Sequence, residues 1–178
     1  MYLTRMALTA RDIRAAFADL ARELANDGYE AEILVGGGAA LVLLFEARES
    51  TKDVDAVFLT PEGAIVRRAA RAVAHRRDLP EDWINDGAKG YFVGLSKGEM
   101  LFEEKGLRAR SASAEQLLAM KLAAWRDAID RADAMLLLSK LRGDKNAIWT
   151  AIERFIPRGD LNKATYAFDD LWDASRGD

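Results

Sequence analysis

Three consecutive glycines stand between an apolar segment and a short helix-forming segment, and this arrangement narrows the folds open to the chain. AEILV, residues 31–35, has the length and composition of a buried strand, and AALVLLFEA follows Gly36, Gly37 and Gly38. Glycine adopts positive φ and lets other groups approach the backbone closely. The segment therefore predicts a strand, a tight turn and a helix whose first N–H groups can receive a phosphate. A purely steric need for glycine is the alternative.

The next predicted strand carries two aspartates at alternate positions. DVDAVFLT, residues 53–60, is mostly apolar, and strand geometry projects Asp53 and Asp55 from one face. Two carboxylates on one face repel each other unless a cation lies between them. Mg²⁺ suits such a pair because it binds a few carboxylates together with water and phosphate oxygens. A solvated strand edge is the alternative.

Composition excludes several other kinds of site. The chain has 178 residues, a net charge of −3, no cysteine and a single histidine, His75. Disulfides, thiolate zinc sites and multi-histidine metal sites within one chain are therefore ruled out. The charge gives no overall attraction to nucleic acid. No apolar run approaches the roughly 18 residues of a membrane span, so we expect a cytoplasmic protein with no membrane partner.

Capping signals and periodicity predict the remaining elements. A helix begins at Thr9, another at Thr60-Pro61-Glu62, and short strands lie between residues 91 and 112. Ser113 with Gln116 then opens one long helix, and two further helices complete the chain. The expected fold is α+β (or α/β), with a small mixed sheet flanked by helices. Residues 1–112 would form this core, and residues 113–178 a helical portion packed on it.

The glycine turn and the aspartate strand together match a known signature. A strand ending in Gly37-Gly38, a helix, then Thr51-Lys52-Asp53-Val54-Asp55 resembles the active site of the DNA polymerase β-like nucleotidyltransferase superfamily. The closer resemblance is to a bacterial branch allied to the AbiEii toxins of toxin–antitoxin pairs. The segment LLAMKLAAWRDAIDRADAMLLL, residues 117–138, is similar to a second block of that branch.

The resemblance implies a Mg²⁺-dependent enzyme that transfers a nucleotide from a nucleoside triphosphate to a hydroxyl of an RNA or protein acceptor. It also implies an antitoxin protein as partner. Asp53 and Asp55 would be catalytic and hold the metal, and Lys121 would be a catalytic phosphate ligand. The residues implied in nucleotide binding are Gly36, Gly37, Gly38, Arg48, Thr51 and Lys52, and those implied in support of the site are Arg126, Asp130 and Asp133.

One departure from the family pattern keeps alternatives open. Active members usually bring a third carboxylate from a later strand; the candidates here are Glu99, Glu103 and Glu104, whereas GLRARS offers Arg108 and Arg110. The general base is thus unassigned. A nucleotide-binding or partner-binding module without turnover, or a structural subunit, would also fit.

A second difficulty concerns the long helix. In one unbroken helix Arg126, Asp130 and Asp133 share a face that lies nearly opposite Lys121. The helix would have to break near residues 126–130 for all four to act together, although no proline or glycine marks a break. The alternative is an intrahelical ladder of ion pairs.

Two further features have competing interpretations. Trp83 is interpreted as an anchor that closes a loop onto the core, rather than as a platform for a nucleobase. The arginine-rich helix at residues 67–77 could attract RNA, but a solvated charged face is the commoner reason for such a pattern.

Overall fold

The computed structural model describes residues 7–45 and 48–177, and these residues form an α+β fold. Seven α-helices and a five-stranded mixed sheet are present in this part of the chain. The chain divides into two compact units. The first contains the described residues up to Lys89 together with Lys97–Ala112, and the second contains Gly90–Ser96 and the chain from Ser113 onward.

The first unit is built on the sheet. Its strands are β1 (Ala31–Val35), β2 (Val54–Thr60), β3 (Ile84–Asn85), β4 (Lys97–Glu104) and β5 (Leu107–Ala112). They lie in the order β3-β2-β1-β5-β4. β1 pairs antiparallel with β2 and parallel with β5, whereas β2–β3 is parallel and β4–β5 antiparallel. β1, which precedes the glycine turn, is thus the central strand.

Three helices accompany this sheet: α1 (Ala10–Asn26), α2 (Gly37–Phe45) and α3 (Gly63–Arg77). The predicted capping box at Thr9 is confirmed, since its hydroxyl accepts the N–H of Asp12 and the Asp12 carboxylate accepts the N–H of Thr9. α1 packs on β4 and β5, where Phe17 meets Phe102 with ring centroids 5.7 Å apart. The core of the unit therefore lies between α1, α3 and one face of the sheet.

The predicted start of α3 is wrong by a few residues. The helix begins at Gly63 with Glu62 as its N-cap, and Glu62 makes no side-chain capping bond. Thr60 is instead the last residue of β2, and the Thr60–Pro61 peptide is cis. Pairing of Thr60 with Glu32 of β1 outweighs its tendency to cap a helix.

The second unit is helical. It contains α4 (Ala114–Ala124), α5 (Ala128–Lys140), α6 (Lys145–Glu153), α7 (Leu161–Ser175) and a 3₁₀ turn at Arg158–Asp160. Another 3₁₀ turn, Gly87–Tyr91, includes the point where the chain passes from the first unit to the second. α4 packs against the other three helices. Gln116 is fully buried and holds the segment Gly90–Ser96, because its Oε1 accepts the Ser96 N–H at 2.9 Å and its Nε2 donates to the Gly94 carbonyl at 3.0 Å.

Candidate functional site

The glycine turn of the first unit brings the main chain of α2 against the carboxylate of Asp55. The N–H of Gly36 donates to the carbonyl of Asp55 at 2.9 Å, and Gly37 has a φ of +58°. A Cβ on Gly37 would lie 2.9 Å from Oδ2 of Asp55. Any other residue would be strained in this conformation and would also collide with the carboxylate. Glycine is required here, and what it allows is close contact with Asp55.

Gly38 makes a second close approach, to two of the residues predicted to bind nucleotide. A Cβ on Gly38 would lie 2.7 Å from Nη1 of Arg48 and 3.0 Å from Oγ1 of Thr51. Thr51 is nearly buried and is fixed by a β-bridge to Leu8, and its hydroxyl donates to the Asp53 carbonyl at 3.2 Å. The structure thus gathers Gly37, Gly38, Arg48, Thr51 and Asp55 around one turn.

Asp53 and Lys52 lie just before β2 rather than within it. The strand begins at Val54, whose N–H donates to the Trp83 carbonyl at 2.8 Å, and Asp53 is half-buried while Lys52 is exposed. The predicted strand over 53–60 is therefore one residue too long. Asp55 is fixed by strand pairing, whereas the alternation rule does not govern the direction of Asp53.

The strand beside Asp55 supplies an amide instead of a third carboxylate. Asn85 of β3 is the register partner of Asp55, and its Oδ1 accepts the Gly87 N–H at 3.1 Å. The carboxylate candidates Glu99, Glu103 and Glu104 all belong to β4, which is separated from β2 by β1 and β5. Three strand spacings amount to about 14 Å, so none of these glutamates adjoins Asp55.

Lys121 belongs to the second unit, where it is enclosed by two carboxylates. Its Nζ lies 2.9 Å from Oδ1 of Asp130 and 2.7 Å from Oδ2 of Asp133, and its side chain is 11% exposed. Arg126 adds a hydrogen bond to Asp130 from Nε at 3.1 Å and another from its backbone N–H. Burial opposes the ionised form, but the hydrogen bonds from Arg126 and Lys121 outweigh it and lower the pKa of Asp130 to about 2. The four predicted residues do converge, as a buried ionic cluster.

The convergence is possible because the predicted single helix is interrupted. α4 ends at Trp125, which has a φ of +39°, and α5 begins after Asp127. The Asp127 carboxylate accepts the N–H groups of Ile129 and Asp130, so it acts as an N-cap. The prediction of one helix across residues 113–142 is wrong. The alternative, an intrahelical ladder of Arg126, Asp130 and Asp133, is present only in part: Arg126 pairs with Asp130 at 3.1 Å but lies before α5, and Asp133 pairs with Lys121 of α4. Asp127 followed by Asp130 is a capping pattern that could have signalled the break.

The arginine-rich helix α3 is largely neutralised by carboxylates. α1 supplies two of them, since Arg76 pairs with Glu23 at 2.9 Å and Arg77 pairs with Asp19. α1 and α3 are packed against each other. These pairs explain part of the basic pattern through the α1–α3 packing. Two further pairs are Arg67–Asp86 and Arg68–Asp27.

Trp83 is an anchor, as its sequence context predicted. It is 1% exposed, and its Nε1 donates to the Ala70 carbonyl of α3 at 3.0 Å. Its ring lies 6.3 Å from that of Phe17. Because Trp83 is adjacent to β3, this contact also holds Asn85 beside β2.

Two general features concern metals and membranes. Within residues 7–45 and 48–177, histidine, cysteine, aspartate and glutamate side chains form no group of three or more that could hold a metal ion. A Mg²⁺ ion bound by Asp53 and Asp55 would complete its shell with water and substrate phosphate oxygens, which is the usual arrangement for this ion. Among the helices of these same residues, none has the length and apolar character to cross a bilayer.

Comparison of the chain with protein-family models, with curated proteins and with solved structures finds no match. The functional interpretation therefore depends on the residues and geometry described above.

Proposed function

We propose that this protein is a Mg²⁺-dependent nucleotidyltransferase whose site is the glycine turn and Asp55 of the first unit. The observation that most supports this function is the close approach of Gly37 to the Asp55 carboxylate: the positive φ favours glycine, and an added Cβ would lie 2.9 Å from Oδ2 and displace it. A bend lined by N–H groups beside a carboxylate is suited to a triphosphate and its metal ion.

Each group has a stated part in the reaction. The N–H groups of Gly37 and Gly38 bind the β- and γ-phosphates, whereas the Gly36 N–H is already donated to the Asp55 carbonyl. The Arg48 guanidinium, which lies against Gly38, adds positive charge. Asp53 and Asp55 would hold Mg²⁺, which would supply positive charge against the triphosphate and the developing charge. An acceptor hydroxyl forms a bond to the α-phosphorus, the bond between the α- and β-phosphates breaks, and pyrophosphate leaves. The hydroxyl proton passes to solvent.

The acceptor is an RNA or protein hydroxyl in the cytoplasm. By the resemblance of its motifs to the AbiEii-allied branch, the enzyme is toxin-like and has an antitoxin protein as partner. Lys121 has a different part from the one its motif implies, because Asp130 and Asp133 already neutralise its charge. We therefore assign Lys121 to the stability of the second unit.

Transfer of label tests the function. The purified protein is incubated with each α-labelled nucleoside triphosphate, Mg²⁺ and total RNA, and Asp55→Asn and Asp53→Asn are compared with the wild type. Loss of labelling in both variants is expected, since each removes a charge that holds the metal. Asp78→Asn is the matched control: Asp78 is exposed, and asparagine tolerates its φ of 54°. Equal labelling by Asp55→Asn and the wild type would refute the function.

The second candidate is a nucleotide-binding module without turnover. The presence of Asn85 rather than a carboxylate next to Asp55 favours it. It predicts that nucleoside triphosphates raise the unfolding temperature of the wild type, but not of Asp55→Asn, while no label is transferred.

A further inference from the structure

Arg110 is a half-buried cation with no carboxylate partner in the described part of the chain. Its only described hydrogen bond runs from Nη1 to the Gly98 carbonyl, at 3.3 Å. Two neighbouring cations differ from it: Lys97 lies 2.6 Å from Glu32, and Arg108 lies 3.1 Å from Glu103. The other Arg110 donors make no hydrogen bond to the described residues, and they reach solvent, since no buried side-chain nitrogen or oxygen in this part of the chain lacks a partner.

Arg110 projects from the same face of the sheet as Asp55. Leu34 of β1 pairs with Arg110 on one side and with Val57 on the other, and paired residues share a face. Val57 and Asp55 are alternate residues of β2, so they share that face as well. Two strand spacings across and two residues along separate Arg110 from Asp55 by about 12 Å at the backbone. A long arginine side chain and an extended triphosphate can cross this gap together.

We propose that Arg110 binds a phosphate group of the nucleotide that the glycine turn and Asp55 hold. This inference rests on the proposed function and names a residue for it that the sequence signature does not include. A guanidinium offers a planar set of donors that matches phosphate oxygens, and it keeps its charge at any physiological pH. Glu32 is the nearby negative charge, and its pKa is lowered chiefly by Lys97 and also by Arg110, but it forms its ion pair with Lys97. A phosphate would supply acceptors for the Arg110 donors that make no described hydrogen bond.

Calorimetric titration with inorganic tripolyphosphate in the presence of Mg²⁺ tests the inference. Arg110→Gln should weaken binding roughly 10- to 100-fold, because it removes charge-assisted hydrogen bonds. Arg110→Lys keeps the charge but not the planar donors, so its affinity for tripolyphosphate should lie between those of the wild type and Arg110→Gln. Arg108→Gln is the matched control, since Arg108 lies two residues away on the same strand and is already paired; it should bind like the wild type.

The outcomes separate this inference from the proposed function. Equal affinity of Arg110→Gln and the wild type would overturn the inference, as would a wild type that binds no tripolyphosphate at millimolar concentration. If labelling depends on Asp55 while Arg110→Gln binds normally, the function holds and the inference fails. If tripolyphosphate binding requires Arg110 but no label is transferred, phosphate binding holds and the transferase activity fails. If Arg110→Gln does not fold, the affinity of Arg110→Lys for tripolyphosphate is compared with that of the wild type, and equal affinity again overturns the inference.

Discussion

Lys121→Met is the most informative single substitution, because it separates a structural role from phosphate binding. The Lys121 ammonium lies between two carboxylates that are 2% and 5% exposed, Asp130 and Asp133. Methionine keeps the length of the side chain but leaves both carboxylates without this cation. Removal of one partner from a buried ion pair costs about 3–5 kcal/mol, and we expect a loss of this size in the free energy of unfolding at pH 7.

The pH dependence gives an independent check. The folded-state pKa of Asp130 is about 2, below its ordinary value of 3.8. A lowered pKa stabilises the fold above the unfolded pKa, so this contribution of about 2 kcal/mol is complete above pH 5 and is lost as the pH falls from about 5 toward 2. In Lys121→Met the pKa of Asp130 loses the lowering contribution of Lys121, so this carboxylate protonates more easily. The difference from the wild type should therefore be smaller at pH 4 than at pH 7.

Urea unfolding followed by circular dichroism at the two pH values measures both effects. Lys145→Met is the matched control, because both side chains of the Lys145–Asp169 ion pair are exposed and its loss should cost about 1 kcal/mol or less. If Lys121→Met unfolds at the same urea concentration as the wild type at pH 7, the cluster does not stabilise the unit. Weakened nucleotide binding with unchanged stability would instead favour Lys121 as a phosphate ligand.

Two further predictions concern the first unit. Gly37→Ala should abolish nucleotide binding and lower the unfolding temperature. Gly28→Ala is the control, because Gly28 also has a positive φ but no heavy atom lies within 4 Å of the added Cβ. It should cost only about 1–2 kcal/mol of backbone strain and bind nucleotide normally. Equal binding by the two variants, measured by calorimetry, would contradict the reasoning. Trp83→Phe should cost about 1–3 kcal/mol in urea unfolding, through the lost bond to Ala70 and imperfect packing, and a loss no larger than that of the half-buried Trp172→Phe would show that Trp83 is no anchor.

The sequence was most informative where local chemistry and tertiary contacts agree. The capping box at Thr9, the strand before the glycines and the two C-terminal helices were all predictable, because each has a cap or an apolar period that its packing also uses. The glycine turn was predictable as a turn. Its nearness to Asp55 was expected only from the resemblance to a known signature, since apolar and turn patterns do not say which strand pairs beside β1.

Failures occurred where distant partners decide the structure. The α4–α5 break depends on Asp127 as a cap and on pairing of Lys121 with Asp133. No proline or glycine in the sequence marks the position of this break. The strand order places β4 far from β2 and Asn85 beside Asp55. This order is set by pairing between strands that are distant in sequence. The spacing of residues along the sequence therefore could not show that Asn85, and not one of the glutamates, lies beside Asp55.

The hold of Gln116 on residues 90–96 has a practical consequence for anyone who wishes to dissect the protein. Residues Gly90–Ser96 belong to the helical unit, the β4–β5 hairpin that follows belongs to the first unit, and the chain from Ser113 onward belongs to the helical unit again. A truncation after Ala112 would strip Ser96 and Gly94 of the glutamine that satisfies them. No single cut yields two intact halves, so limited proteolysis should release paired fragments that stay associated.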